Sequence, residues 1–277
     1  MPTNENQSLR TTRLAFPHFR VSFPADGVLL VTLDRPDKLN CIDRPTSLEL
    51  ERVWELFDSD DSLQVGIITG KGRAFCTGAD LHEWNQMNEA GIPNDMSAPG
   101  LGGLCRRDGK KPIIAAVNGL CMGGGFEMVA NCDIVLASSS AIFSLPEVQR
   151  GIAPVAGSLP RLARVLGLQR TMDLALTGRR ITADELRAWG LLSTVVPDEQ
   201  LMTSTLAYAK LISRNSPDSI IVARRGVRMA WEQGNVEAEV DELANAWYPR
   251  LMAGENFAEG IRAFVEKREP QWRPSKL

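Results

Sequence analysis

The stretch from Lys111 to Glu147 constrains the fold of this chain more than any other segment. It opens with an apolar run, residues 112–117, which is too short for a typical helix and suits a buried strand. Three consecutive glycines, Gly123 to Gly125, come soon after and allow a tight turn with exposed N–H groups, because no Cβ stands in the way. The following segment, residues 126–132, has helical character. A strand, a glycine turn and a helix N-terminus together predict a site for developing negative charge.

Two carboxylates accompany this turn. Glu127 falls in the first turn of the predicted helix, and Glu147 comes after two strand-like segments, residues 134–137 and 141–143. We expect these two strands to pair with each other and so return Glu147 to Glu127. Two acidic side chains at one pocket suit general acid/base catalysis on a water molecule. Either glutamate alone is more simply explained, Glu127 as compensation of the helix dipole and Glu147 as a solvated residue.

A second glycine element lies upstream, at residues 70–81. It follows a strand-like run, residues 65–69, and leads into a helix-like segment at Leu81. Repeated strand, glycine loop and helix is the pattern of βα units with buried parallel strands.

Local patterns predict further elements. A β-branched, aliphatic strand is expected at residues 28–33, a helix at 43–57 with Pro45 in its first turn, and a capping box of Thr182 with Glu185. Four C-terminal helices are expected at residues 199–213, 218–231, 236–252 and 256–267, and the third has a wide apolar face. Residues 85–109 contain several glycines and prolines and no clear period, so we interpret them as a mobile wall over a pocket.

Both glycine elements resemble motifs of the crotonase superfamily, the enoyl-CoA hydratase/isomerase family. The PEVQRGIAP segment and the later LTGRRITADELRAWGLLSTVVP segment extend the likeness over roughly residues 28–197. The resemblance implies an α/β fold, a spiral of ββα units, with a C-terminal helical region that drives trimers, commonly paired into hexamers. We accordingly divide the chain into a loose N-terminal extension (1–19), a crotonase core (20–200) and a helical region (201–277).

The activity that the resemblance implies is that of an enoyl-CoA hydratase. Such an enzyme reversibly adds water to a 2-enoyl-CoA to give a 3-hydroxyacyl-CoA, in fatty-acid β-oxidation or a related acyl-CoA pathway. Coenzyme A is part of the substrate, so no separate cofactor and no metal is expected. By motif match Glu127 and Glu147 are the catalytic pair, with the roles of acid and base left open. The main-chain N–H groups of Ala79 and Gly124 match the oxyanion hole.

The resemblance also assigns residues to substrate binding. Those on the same subunit are Lys38, Leu39, Ala79, Asp80, Leu81 and Gly124, although a solvated loop lysine explains Lys38 equally well. Phe264 and Lys267 match positions that line the coenzyme A pocket of a neighbouring subunit. Many relatives have glycine where this chain has Val155 and Ser158, and this departure implies a narrower acyl pocket or a shifted loop.

Two alternatives stay open. A Δ-isomerase of enoyl-CoA, or another lyase of this family, often keeps only one of the two glutamates. A non-catalytic scaffold that binds acyl-CoA or RNA would use the same fold without the chemistry. Lys plus Arg total 31 against 34 Asp plus Glu, a net charge of −3, which argues against nucleic acid or a membrane surface as a partner.

The remaining signals concern redox state and targeting. The five cysteines are scattered, which indicates reduced thiols packed in the interior. With only two histidines and no cysteine cluster, the sequence offers few ligands for a zinc site. No uninterrupted apolar run is long enough to span a bilayer. The sequence ends with Ser275, Lys276 and Leu277, the SKL address read by the peroxisomal import receptor, so we expect a peroxisomal protein.

Overall fold

The computed structural model describes Leu9 and residues 16–93, 97–232 and 234–277, without the side chains of 231 and 232. Across these residues ten strands form two sheets. The larger sheet has the order β1 (Phe19–Ala25), β2 (Gly27–Leu33), β3 (Leu63–Gly70), β5 (Ile113–Val117), β7 (Ile134–Ser138) and β10 (Thr194–Val196). The smaller sheet has the order β4 (Ala74–Cys76), β6 (Leu120–Met122), β8 (Ile142–Ser144) and β9 (Ile181–Thr182). Only the β1–β2 and β8–β9 pairs are antiparallel.

Helices follow the strands in a repeating order. Those of the first two hundred residues are α1 (Arg44–Ser59), α2 (Leu81–Glu89), α3 (Gly124–Val129), α4 (Ser158–Leu166), α5 (Leu168–Thr177) and α6 (Ala183–Ala188). The C-terminal ones are α7 (Leu201–Ser213), α8 (Pro217–Glu232), α9 (Val236–Glu242), α10 (Tyr248–Met252) and α11 (Glu255–Glu266). A strand of the larger sheet, a strand of the smaller sheet and a helix recur as β3–β4–α2, β5–β6–α3 and β7–β8–α4. This order confirms the expected spiral of ββα units and the helical C-terminal region.

Elements with strong local signals form as predicted. All five residues of β5 are buried, as expected of a parallel strand covered on both faces. Helix α1 begins where the Asp43 carboxylate accepts the Thr46 N–H at 3.0 Å and where Pro45 fits the first turn. The capping box of Thr182 and Glu185 is present at the start of α6.

The predicted pairing of the two short strands before Glu147 is wrong. β7 pairs with β5 in the larger sheet, whereas β8 pairs with β6 in the smaller one. The few residues between β7 and β8 carry the chain from one sheet to the other, which strand periodicity does not reveal. Parallel pairing aligns Ser144 with Met122, and the Gly123 N–H donates to the Ser144 carbonyl at 3.0 Å. This register, rather than a hairpin, brings Glu147 beside the glycine turn.

Two other boundaries differ from expectation. Helix α3 begins at Gly124 and ends at Val129, so the glycine turn itself supplies its first residues. Residues 85–89, predicted as loop, belong to α2, and the later part of that segment packs on α1. There the Trp54 indole donates to the Gly102 carbonyl at 3.0 Å, and a Cβ on Gly103 would lie 2.5 Å from the Glu51 Cα. Close packing therefore fixes this part of the predicted wall.

The chain ends hold less of the core. Residues 1–8 and 10–15 of the expected extension lie outside the described residues, while Leu9 is buried and its N–H donates to Asp60 at 2.8 Å. The helix predicted at residues 236–252 forms as one continuous helical segment, because a π-helix, Leu243–Trp247, joins α9 to α10. In the part of the chain that the structure describes, no helix combines the length and apolar character needed to cross a bilayer. The division into three regions stays a prediction.

Candidate active site

A cavity of about 580 Å³ lies where the two glycine elements meet. Its lining includes the turns at Gly78–Ala79 and Gly123–Gly124 and the side chains of Glu127 and Glu147. Its volume falls in the usual range for a small-molecule site. The sequence elements that suggested chemistry therefore border one common space.

The two turns present their main-chain N–H groups side by side. Gly78 has φ +92°, and a Cβ added to it would lie 3.0 Å from the Gly124 nitrogen. The main chain of Ile42 pairs with residues 78–80. Its carbonyl accepts the Asp80 N–H and its N–H donates to the Gly78 carbonyl, both at 2.9 Å. The Ala79 N–H lies between these two hydrogen bonds and points away from Ile42, because successive residues of an extended chain alternate in direction.

The second donor belongs to the start of α3. Gly124 is the first residue of that helix, so no intrahelical carbonyl accepts its N–H. With Ala79 it forms a pair of preorganised donors of the kind that stabilises an oxyanion. The positive end of the α3 dipole also favours negative charge at this position.

Glu127 is held in a buried position. It lies in the first turn of α3, and only 4% of its surface is exposed. Its Oε1 accepts the Ser158 hydroxyl at 2.9 Å and the Ser158 N–H at 3.3 Å. Burial raises the pKa of Glu127, while the hydrogen bonds from Ser158 and the charge of Arg161 act to lower it.

Glu147 occupies a less satisfied environment. It lies in a short 3₁₀ turn, Pro146–Arg150, directly after β8, and it is buried. Its Oε2 has no hydrogen-bond partner among the described residues. Burial raises the pKa of Glu147 to about 7, and the nearby Glu127 carboxylate adds to the rise, although the N–H of Glu147 itself opposes it.

The two carboxyl groups therefore suit different tasks. A buried carboxyl with an oxygen that lacks a donor tends toward its protonated form, and hydrogen bonds such as those from Ser158 to Glu127 favour the ionised form. Pairs of acids whose surroundings separate their pKa values commonly divide the roles of acid and base. Glu147 is suited to hold a proton near neutral pH, and Glu127 is suited to accept one.

The other predicted binding residues distribute between two places. The six expected on the same subunit all line the cavity, namely Lys38, Leu39, Ala79, Asp80, Leu81 and Gly124. The Asp80 carboxylate caps α2 and accepts a hydrogen bond from Arg35 at 2.8 Å, so it organises the turn. Phe264 and Lys267 lie away from the cavity, with Phe264 85% exposed on α11, and their role in a neighbouring subunit stays a prediction.

The predicted targeting tripeptide contacts the body of the protein. Ser275 donates to the Asp218 carboxylate, and Lys276 pairs with Glu255 at 2.6 Å. The Leu277 carbonyl accepts a hydrogen bond from Lys110 at 2.6 Å.

Sequence reasoning missed some residues of the site. Arg73, Arg150 and Arg180 line the cavity and could pair with phosphate groups; they lie in segments that resemble the family, but they were given no role from the sequence. Ser158 was noted only as a replacement of glycine, and its contact with Glu127, across 31 positions, depends on the fold. Among the described residues, no three His, Cys, Asp or Glu side chains group together as metal ligands would.

Comparison with known proteins agrees with this geometry. The sequence profile of the family described as enoyl-CoA hydratase/isomerase matches residues 24–275. A mevalonyl-coenzyme A hydratase of Aspergillus fumigatus is 60% identical over 93% of this chain and 95% of its own length. The mevalonyl-coenzyme A hydratase of Beauveria bassiana is 44% identical with the same coverage of both chains.

Solved structures give the same result. An enoyl-CoA hydratase from Mycobacterium tuberculosis superposes with a TM-score of 0.85 at 29% identity, covering 94% of this chain and 100% of the other. The profile, the relatives and the solved structures all point to the same family. This chain belongs to the enoyl-CoA hydratase/isomerase family and is a hydro-lyase that acts on coenzyme A thioesters.

Proposed function

We propose that this protein interconverts mevalonyl-CoA and the matching 2-enoyl thioester, 5-hydroxy-3-methylpent-2-enoyl-CoA, by loss or addition of water. The observation that carries the reaction type is the buried pair Glu127 and Glu147 beside the paired N–H donors. The names of two relatives, 60% and 44% identical over most of their length, support the choice of acyl group. We therefore favour this branched, hydroxylated thioester over an unbranched intermediate of fatty-acid β-oxidation.

In the hydration direction the thioester oxygen accepts hydrogen bonds from the N–H groups of Ala79 and Gly124. Glu127 removes a proton from water as the water oxygen bonds to C3, and negative charge moves onto the thioester oxygen as an enolate. Glu147 then gives its proton to C2, which restores the carbonyl. Proton exchange with solvent returns both carboxyl groups to their starting states. The dehydration runs the same steps in reverse.

The presence of both carboxylates in the cavity favours hydration over migration of the double bond. An isomerase moves a proton between two carbons and needs no group to activate water. A purely non-catalytic scaffold would not need two buried acids, whose ionised forms are costly to bury.

An exposed apolar surface supports an oligomer. On α9 and α11, Val236, Val240, Ile261, Phe264 and Val265 are each more than half exposed. Large exposed apolar patches usually mark protein interfaces. We propose that homotrimers, or pairs of trimers, cover this surface and bring Phe264 and Lys267 to a neighbouring substrate pocket. Analytical ultracentrifugation should give a trimer or hexamer, and Phe264→Glu should shift it toward smaller species; a monomeric parent protein would contradict the proposal.

The proposed location of the protein in the cell rests on its C-terminal tripeptide. We propose that Ser275, Lys276 and Leu277 direct the protein to peroxisomes through the import receptor. Their contacts with Asp218, Glu255 and Lys110 must open before a receptor can bind them. An N-terminal fluorescent fusion should give a punctate peroxisomal signal that deletion of the tripeptide abolishes; an unchanged distribution would contradict the proposal.

The substrate proposal is tested by comparing thioesters directly. Purified protein should consume 5-hydroxy-3-methylpent-2-enoyl-CoA, followed by loss of the enoyl-thioester absorbance, with a higher kcat/KM than crotonyl-CoA. A preference for crotonyl-CoA or for long unbranched chains would contradict the acyl group. No hydration of any 2-enoyl-CoA would contradict the function as a whole.

A further inference from the structure

We propose that Ser158 is a positioning residue for hydration, whose hydroxyl holds Oε1 of Glu127 and so orients the carboxylate that acts on water. The inference rests on the proposed function, in which Glu127 is the base. It assigns a role to a position where the sequence departs from the glycine of many relatives.

The geometry around Ser158 is that of a dedicated support. Ser158 is fully buried and is the first residue of α4, a helix of nine residues. Its hydroxyl and its N–H both donate to Glu127 Oε1, at 2.9 and 3.3 Å. Two donors on one oxygen restrict the carboxylate, and the main-chain N–H of Ala156 acts with them to lower the pKa of Glu127. Because hydrogen bonds to an ionised group are stronger than neutral ones, the pair favours the carboxylate form of Glu127.

A glycine at this position would supply only half of that support. The main-chain N–H would remain, but the shorter bond, from the hydroxyl, would be lost. The hydroxyl is not needed to cap α4, since Gly157 occupies the N-cap position and makes no side-chain bond. The side chain of Ser158 therefore serves Glu127.

The other groups that face Glu127 do not replace this bond. Glu147 approaches from the 3₁₀ turn, and its charge would oppose ionisation of Glu127. The Cys105 thiol is buried and neutral, because burial raises its pKa well above the usual value, and it donates to the carbonyls of Leu101 and Gly124. Arg161, on α4, is the neighbouring cation, and its guanidinium is bonded to the Gly157 carbonyl at 3.0 Å. Within the described structure the hydroxyl of Ser158 is thus the side-chain donor to Glu127.

The asymmetry between the two acids follows from this contact. Glu147 Oε2 is buried without a partner, whereas Glu127 Oε1 has two donors. Removing the Ser158 hydroxyl should make the affinities of Glu127 and Glu147 for a proton more similar. The proton that Glu147 must deliver would then be shared with Glu127, and less enzyme would be in the reactive form.

The test compares Ser158→Ala, Ser158→Gly and Ser158→Thr in the hydration assay across pH, with thermal unfolding measured for each. Loss of one hydrogen bond to a charged group predicts that kcat falls about tenfold in the Ala and Gly variants. KM should change little, and the acidic limb of the profile should move to higher pH because Glu127 becomes harder to ionise. Thr keeps a hydroxyl and should recover most of the rate.

A matched control is Ser62→Ala, which removes a serine hydroxyl that donates to the Asp60 carboxylate at 2.6 Å, away from the cavity. This control should leave the rate and the pH profile unchanged. An independent readout is a ¹³C NMR titration of labelled glutamate side chains, assigned with Glu127→Gln. Ser158→Ala should raise the pKa of Glu127 in that titration, whether or not substrate is present.

The outcomes distinguish the positioning role of Ser158 from the proposed hydratase function. If Ser158→Ala keeps the wild-type rate, acidic limb and NMR pKa, the positioning role is wrong even though hydration stands. If Ala, Gly and Thr lose rate equally together with thermal stability, Ser158 has only a structural role. If wild-type protein hydrates no 2-enoyl-CoA, the function fails, and the NMR titration alone decides whether the hydroxyl controls Glu127.

Discussion

Met122 on β6 and Ser144 on β8 are register partners across the smaller sheet, and this pairing sets the distance between the two halves of the catalytic site. Gly123, which follows Met122, turns the chain into α3 and Glu127, while Pro146 follows Ser144 closely and leads to Glu147. A Cβ on Gly123 would lie 3.1 Å from Glu147 Oε1. The smaller sheet is therefore the element that places two distant acids at one cavity.

Removing either carboxylate should abolish most of the activity. We expect Glu127→Gln and Glu147→Gln each to lower kcat by about 10²–10⁴-fold, the usual contribution of a general acid or base. The double variant should lose little more than the worse single variant, because both residues serve the same addition of water and the effects of residues that act as a unit are not additive. Steady-state hydration kinetics measure these values.

Glu89→Gln is the matched control for these variants, since Glu89 is exposed at the end of α2 and accepts a hydrogen bond from Asn85. It should behave as wild type. Near wild-type rates in either catalytic variant would show that the corresponding carboxylate is not in the proton path.

Replacing the N–H of Gly124 tests the oxyanion hole without altering a side-chain acid. Proline is well tolerated at the first position of a helix, where Gly124 lies, and it removes the N–H. Gly124→Pro should lower kcat about 10²–10³-fold, as loss of one such donor does in other enzymes.

Gly124→Ala provides the comparison. Both variants add a Cβ that meets the flexible end of Leu101, but alanine keeps the N–H. The contrast between them separates the effect of the added Cβ from the combined effect of losing the N–H and placing the proline ring carbon in its position. Equal rates in the two variants would contradict a role for this N–H.

The raised pKa of Glu147 predicts a cost in stability as well as a pH dependence of activity. Burial raises this pKa from 4.5 to about 7, so between these values the native state binds more protons than the unfolded chain. The free energy of unfolding should therefore fall as pH rises through this window. In the proposed mechanism Glu147 must be protonated, so hydration should also decline above about pH 7.

Glu147→Gln removes the ionisation and should stabilise the protein at pH 8 by on the order of 1–3 kcal/mol, with a smaller effect at pH 5. Denaturant unfolding at both pH values measures the difference. A variant that is less stable than wild type at pH 8 would contradict the assigned environment of Glu147.

Val155 is expected to limit the acyl group. It lines the cavity, and its side chain is 74% exposed there in the isolated chain. Val155→Gly should raise kcat/KM for longer 2-enoyl thioesters relative to the six-carbon branched substrate by about tenfold, which is within the range for one or two methylenes in a pocket. Val227→Ala, at an equally exposed valine outside the cavity lining, serves as the control. An unchanged ratio between chain lengths would exclude Val155 as a determinant.

Local signals explain how much of this molecule the sequence could predict. The buried run of β5, the cap of α1 by Asp43 and the Thr182–Glu185 box depend on neighbours in the chain, and they appear as expected. The expectation that Glu127 and Glu147 share one cavity rested on a strand pairing and on the family resemblance, whereas their proximity depends on the register between β6 and β8 within the smaller sheet. The strand pairing predicted from periodicity alone was wrong for the same reason.

Contacts between distant positions explain the rest. The bond from Ser158 to Glu127 requires α4 to begin against α3, and no propensity or spacing encodes that approach. Replacement of glycine at Ser158 and Val155 was visible, but the direction of each side chain was not. Likewise, the arginines that line the cavity lie in segments that resemble the family, but they were given no role from the sequence.

We propose that the paired acids add one water across C2 and C3 of a branched 2-enoyl thioester. This addition can be followed by incubating the protein with 5-hydroxy-3-methylpent-2-enoyl-CoA in H₂¹⁸O and locating the label by mass spectrometry. We expect one ¹⁸O at C3 of intact mevalonyl-CoA, and none with Glu127→Gln over the same time. Label in a free carboxylate, or a shifted double bond without label, would contradict it.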